Sequence, residues 1–88
     1  MKEITMFMFE GCPHCAKADE IIEAVTRKNP DYANVSIVRI DEKKNPKIAD
    51  EYDYYYVPSF FVNGVKLHEG AVNEDIILSV FSAASQEK

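Results

Sequence analysis

The sequence contains no tryptophan, three glycines and only two cysteines among its 88 residues. Two cysteines are too few for the multiply bridged frameworks of small secreted domains, which carry them in sets of four, six or eight. No apolar run approaches about 18 residues, so no segment reads as a membrane span. Positive charge is also scarce. Ten Lys+Arg stand against fifteen Asp+Glu, a net charge of −5, which argues against a partner held through nucleic-acid phosphates. After Met1-Lys2-Glu3 the apolar stretch runs only from Ile4 to Phe9. That is short for a secretory h-region and no small-residue cleavage site follows it, so the expected location is cytoplasmic.

What is present is globular. Hydrophobic residues make up 47% and charged residues 28%, close to the average for a folded domain and unlike a disordered chain. No repeat, linker or low-complexity tract divides the chain, so residues 1–88 are expected to form one small domain.

Lys2 to Phe9 is apolar on both alternating faces, the pattern of a strand covered on both sides. Glu10-Gly11 breaks it, and Pro13 suits the first turn of a helix. Ala18, Ile21, Ile22 and Val25 form the apolar stripe of that helix. Arg27 and Lys28 complement its negative end, and Asn29-Pro30 stops it. A second strand is expected over Val35 to Ile40. Asn45-Pro46 opens a short helix running to about Tyr52, with Asn45 as its cap. Ser59 to Val62 reads as a third strand. Asn63-Gly64 turns it into a fourth at Val65 to His68. Asn73 caps a last helix with Ile76, Ile77, Val80 and Phe81 as its stripe. The order is βαβαββα. Strands joined through helices are expected to run parallel, and the final hairpin adds an antiparallel strand. The fold class is therefore α/β, a four-stranded mixed sheet flanked by three helices.

Chemistry concentrates in Cys12-Pro13-His14-Cys15, at a strand-to-helix junction. A disulfide across two intervening residues closes too small a loop to restrict the unfolded chain much, so stability is a poor reason for the pair. A helix N-terminus offers unpaired N–H groups and the positive dipole end, both of which favour a thiolate on Cys12. His14, if protonated or donating a hydrogen bond, adds to that effect. Cys15 lies three residues on, one turn inward, within reach of a mixed disulfide on Cys12. Pro13 stiffens the turn. The same two cysteines could instead be inert core residues, or ligands of a metal or iron–sulfur cluster. Zinc needs three or four ligands, and the only imidazoles are His14, inside the motif, and His68.

The chain resembles the thioredoxin/glutaredoxin superfamily in several segments that occur in order. They are Cys12-Pro13-His14-Cys15 after the first strand, Val57-Pro58-Ser59-Phe60-Phe61 before and in the third, and Asn63-Gly64 followed by Gly70-Ala71. Val38-Arg39-Ile40-Asp41 through Asn45-Pro46 is also similar to that family's second strand and following helix. The resemblance implies a minimal thioredoxin fold and a thiol–disulfide oxidoreductase. Cys12 would attack a substrate disulfide and Cys15 would resolve the product, with Pro13 and His14 in support. Pro58 would form a cis peptide bond beside the cysteines. Val57 would pair its backbone with a substrate chain, with Gly70 and Tyr56 completing the substrate-facing set. The implied partners are disulfide-containing proteins, with electrons from a thioredoxin reductase or glutathione, no tightly bound cofactor and a monomeric chain.

The subtype rests on departures from the family. Phe9 stands where a glutaredoxin lysine is expected, and Glu69-Gly70-Ala71-Val72-Asn73 lacks the glutaredoxin Gly-Gly pair. Both favour a thioredoxin-like reductant of proteins over a glutathione-dependent enzyme. The thioredoxin tryptophan ahead of the motif is absent. Met6 occupies the strand position where a buried acid would serve the resolving cysteine. Of the tyrosines at 52, 54, 55 and 56, two readings stand: an aromatic rim on the substrate groove, or two packed under the second helix with the rest merely exposed. Glu10, Lys17 and the run Asp41-Glu42-Lys43-Lys44 read as solvated charge, and His68 has no assigned role.

Overall fold

A computed structural model describes residues 2–86. Strand β1 (Ile4–Met8) is one of two inner strands of the sheet. Strand β2 (Ile37–Asp41) pairs with it in parallel, from Ile4 opposite Ile37 to Met8 opposite Asp41. Strand β3 (Ser59–Val62) lies on its other side, and β4 (Val65–Glu69) forms the far edge, giving the order β2-β1-β3-β4. Asn63 and Gly64 both adopt positive φ, 53° and 81°, which is the geometry a two-residue Asn-Gly hairpin requires.

Helix α1 (Pro13–Lys28) and helix α3 (Glu74–Ser85) cover one face. Cys15, Ala18, Ile22 and Val25 from α1 meet Ile77, Val80, Phe81 and Ala84 from α3 over Ile4, Met6, Phe60 and Val62 of the sheet. Ile77, Val80 and Phe81 are the stripe residues expected, while Ile76 is only half-buried and Ala84 takes the fourth core position. Its cap is also as expected, with Asn73 Oδ1 accepting the Ile76 N–H at 2.8 Å.

The opposite face is closed differently. Helix α2 (Pro46–Ala49) has only four residues, not the longer helix expected to reach Tyr52. Instead Tyr52 and Tyr54 swing onto Phe7, with ring centroids at 4.7 and 4.8 Å, and onto Phe61. A tyrosine–phenylalanine cluster thus covers the second face, while Tyr55 and Tyr56 are exposed. Asn45 does not cap α2 with its side chain. Its Nδ2 donates back to the Asp41 carbonyl.

Two further expectations need correction. A five-residue 3₁₀ helix, Pro30–Asn34, follows α1, and Val35 is buried after it, so the second strand begins at Ile37 and extends to Asp41. The third strand does not run parallel to the first two. Phe7 opposes Ser59 and Ile4 opposes Val62, an antiparallel register. The reason is length. A four-residue helix rises about 6 Å, against about 17 Å for a five-residue strand, so α2 does not carry the chain back along the sheet. The chain crosses over at the end where β1 and β2 finish and enters β3 from there. That end also holds the start of α1.

Removing the α3 cap should be costly and local. Asn73→Ala is expected to lower unfolding stability by about 1 kcal/mol in urea titration, and Asn73→Gly by only a few tenths.

Candidate active site

Three stretches of backbone meet where β1 ends: the turn into α1, the turn after β2, and the approach to β3. Gly11, with φ of 91°, reverses the chain between β1 and α1. Cys12 follows as the N-cap of α1 in extended conformation, and Pro13 fills the first helical position, where its missing N–H costs nothing. The Cys12 sulfur accepts the Cys15 N–H at 3.2 Å, as a serine or aspartate oxygen would at a helix start. Both thiols are free and both are buried. Pro13 and His14 are exposed on the outside of the turn.

The two sulfurs are not equivalent. Burial, the hydrogen bond with Cys12 and the negative charge on Cys12 push the Cys15 thiol up from 9.0 to about 12. A Phe9 backbone contact acts the other way, and Asp19 adds a small upward push. Cys15 is thus a protonated thiol at neutral pH, packed in the same cluster as Met6. Asp19, one turn further along α1, is held by Arg39 of β2 at 2.9 Å.

The turn before Cys12 is anchored from β2. Asp41 Oδ2 accepts the Glu10 N–H at 3.0 Å, while Oδ1 accepts the N–H groups of Lys43 and Lys44 at 2.9 and 3.2 Å. Desolvation opposes ionisation of Asp41, but these donors and the Lys44 ammonium outweigh it and hold the carboxyl below its ordinary range. The segment read from sequence as plain solvated charge therefore ties the turn before Cys12 to the sheet. Glu10 itself pairs with Lys44 at 3.0 Å in an exposed contact that contributes little. Lys43 places its ammonium 4.0 Å from the Phe9 ring centroid. Lys17 is exposed.

The third stretch holds the other expected residues. The Val57–Pro58 bond is cis. Pro58 is buried and Val57 packs on the cluster that contains both cysteines. Gly70 donates its N–H to the Pro58 carbonyl at 2.8 Å, so its role here is a backbone contact to the cis proline. Ser59 Oγ donates to the Tyr56 carbonyl. Tyr55 and Tyr56 direct their N–H groups to Glu69 Oε2, at 2.8 and 3.0 Å. Among the described residues no hydrogen bond takes up the Val57 N–H or C=O. Glu69 was not singled out by sequence reasoning, and nothing in its local pattern marks it. His68 bonds the Ala71 carbonyl at 2.9 Å. Among the described residues no group of three or more His, Cys, Asp or Glu is placed to hold a metal ion.

The thiol asymmetry has a measurable sign. The unfolded chain releases the Cys15 proton near 9.0 and the folded chain near 12, so this thiol's contribution to stability is complete below pH 9 and is lost as pH climbs towards 12. Cys12→Ala removes one hydrogen bond and one charge but leaves the burial. The Cys15 midpoint, followed by thiolate absorbance, should then fall below about 12 and stay above 9.0. A midpoint still near 12 would show that burial alone sets it.

Comparison with known proteins gives one consistent result. The model of the thioredoxin domain family matches residues 2–82. A thioredoxin from Methanocaldococcus jannaschii is 32% identical over 76 residues, 86% of this chain and 87% of that protein. A thioredoxin from Halobacterium salinarum superposes with a TM-score of 0.71 over 99% of this chain and 77% of its own, at 18% identity, and so speaks to the fold alone. A protein disulfide oxidoreductase from Aeropyrum pernix is 31% identical with a TM-score of 0.65, covering 94% of this chain but only 37% of that longer one. The strand order and the cysteine turn at the helix start agree with these matches: the chain belongs to the thioredoxin domain family and has the minimal α/β thioredoxin fold.

Proposed function

We propose that this chain is a thiol–disulfide oxidoreductase that reduces or exchanges protein disulfides through Cys12 and Cys15. One observation carries the reading: Cys12 caps the helix with its sulfur while Cys15, one turn on, is held as a buried protonated thiol. The two groups are prepared for successive steps. The Cys12 thiolate attacks one sulfur of a substrate disulfide. A Cys12–substrate S–S bond forms, and the substrate S–S bond breaks with release of one substrate thiolate.

Cys12 then no longer carries a charge or accepts the contact as a thiolate. Two of the influences that raise Cys15 disappear, and its proton is easier to lose. The Cys15 thiolate attacks the Cys12 sulfur. The Cys12–Cys15 disulfide forms and the second substrate thiolate leaves. The substrate has gained two electrons and the chain has lost two. Met6 replaces the acid that would take the Cys15 proton in related proteins, so water or His14 is left to accept it.

The preference for protein substrates rests on Val57. Its N–H and C=O, unpaired among the described residues, can add an extended substrate strand near the cysteines, with the Pro58 carbonyl next to it held by the Gly70 N–H. Exposed Tyr56 stands next to it as an apolar contact. A thioredoxin reductase is then the donor that fits. A glutathione-dependent reaction is the second reading, and the Lys43 ammonium over Phe9 favours it. This cation stands over the position where a glutaredoxin lysine is expected.

Cys12→Ser should reduce turnover of a protein disulfide to background, while Cys15→Ser should accumulate a mixed disulfide on Cys12, visible by mass spectrometry. Turnover retained without Cys12 would end the mechanism. The donor is read by reducing the oxidised chain with NADPH and a thioredoxin reductase, or with glutathione. Fast reduction by the reductase alone supports the first reading, and fast reduction by glutathione alone supports the second.

A further inference from the structure

Several backbone groups around the cis proline are occupied, and one side chain takes up two of them. Glu69 is the last residue of β4 and lies opposite Ser59 in the ladder. Its carboxylate reaches back past Pro58. Oε2 receives the N–H groups of Tyr55 and Tyr56, two successive amides converging on one oxygen, as in a backbone anion nest. Oε1 is held by the Lys66 ammonium. Ser59 Oγ fixes the Tyr56 carbonyl and the Gly70 N–H fixes the Pro58 carbonyl. Val57 between them keeps its N–H and C=O unused among the described residues.

We infer that Glu69 is a positioning residue for protein substrates: its carboxylate latches the Tyr55–Tyr56 backbone to β4, which presents the free edge of Val57 to an incoming extended peptide. The inference rests on the oxidoreductase reading above. Tyr55 and Tyr56 have exposed rings, so side-chain packing does little to fix these two residues. Tyr54, by contrast, is packed on Phe7 and bonded to Glu42 at 2.8 Å. The backbone bonds to Glu69 therefore bridge the gap between a packed tyrosine and a buried proline. The Lys66 ammonium, then the Tyr55 and Tyr56 N–H groups, hold the Glu69 carboxyl below its ordinary range, against a smaller desolvation cost. The latch is accordingly charged at neutral pH.

The test separates strand presentation from thiol chemistry. In a Cys15→Ser background, mixed-disulfide formation on Cys12 is timed with two probes. One is an extended peptide carrying a single activated disulfide, and the other is cystamine, which is too small to pair with Val57. Glu69→Ala should slow the peptide reaction by about tenfold, and leave the cystamine reaction within about twofold. Glu69→Gln keeps a carbonyl acceptor for both amides and should restore most of the peptide rate. Amide exchange at Tyr55 and Tyr56 should accelerate in Glu69→Ala and recover in Glu69→Gln.

An unchanged peptide rate in Glu69→Ala overturns the inference. So does an equal loss with both probes, which would mean a general disturbance of the fold. If the chain with Glu69 intact reacts with cystamine but not with the peptide, the protein-disulfide reading fails. The amide exchange then still reports whether Glu69 holds this backbone, and unchanged exchange overturns that as well.

Discussion

The site depends on β1 being an inner strand with partners of opposite sense. Its parallel neighbour β2 ends beside it, and its antiparallel neighbour β3 begins there. Three chain segments therefore converge at one end of the sheet without any of them needing to be long. Ile4, Met6 and Phe7 are fully buried because helices cover one face and tyrosines the other, so the strand that aims Cys12 has little freedom to shift. Precision at the cysteines comes from this burial more than from the loop that carries them.

Upon that frame, the chemistry of the two thiols is divided by a single turn of helix. Cys12 takes the capping position and Cys15 the first inward-facing one. Each affects the other: the Cys12 sulfur receives the Cys15 N–H, and its charge raises the cost of ionising Cys15. An arrangement of this kind gives an order to two thiols that would otherwise be alike.

Carboxylates outside the motif hold the surroundings of the pair. Asp41 gathers the turn before Cys12, and Glu69 gathers the segment before Pro58. Both bind backbone N–H groups rather than side chains, which fixes main-chain position directly. Val57, between these anchored groups, has no hydrogen-bond partner for its N–H or C=O among the described residues.

Much was legible in the residues themselves. The 3.6-residue stripes of α1 and α3, the Asn73 cap, the Asn63-Gly64 hairpin and the Pro13 helix start are local effects, because each needs only neighbours in sequence. The placing of Cys12 and Cys15 at a helix start was legible for the same reason: the cysteines and Pro13 lie within one short segment. The direction of β3, the short α2, the 3₁₀ turn after Asn29 and the roles of Asp41 and Glu69 were not. The crossing to β3 depends on where the chain must re-enter the sheet. The ending of α2 reflects Tyr52 and Tyr54 turning to cover Phe7 and Phe61. Asp41 and Glu69 act on partners 31 and 14 residues away, Glu10 and Tyr55, which no local pattern announces. By itself the sequence determined the main helices and strands and the placing of two cysteines at a helix start. Tertiary structure alone decided how those segments meet, because burial and long-range hydrogen bonds exist only once distant parts of the chain share one end of the sheet.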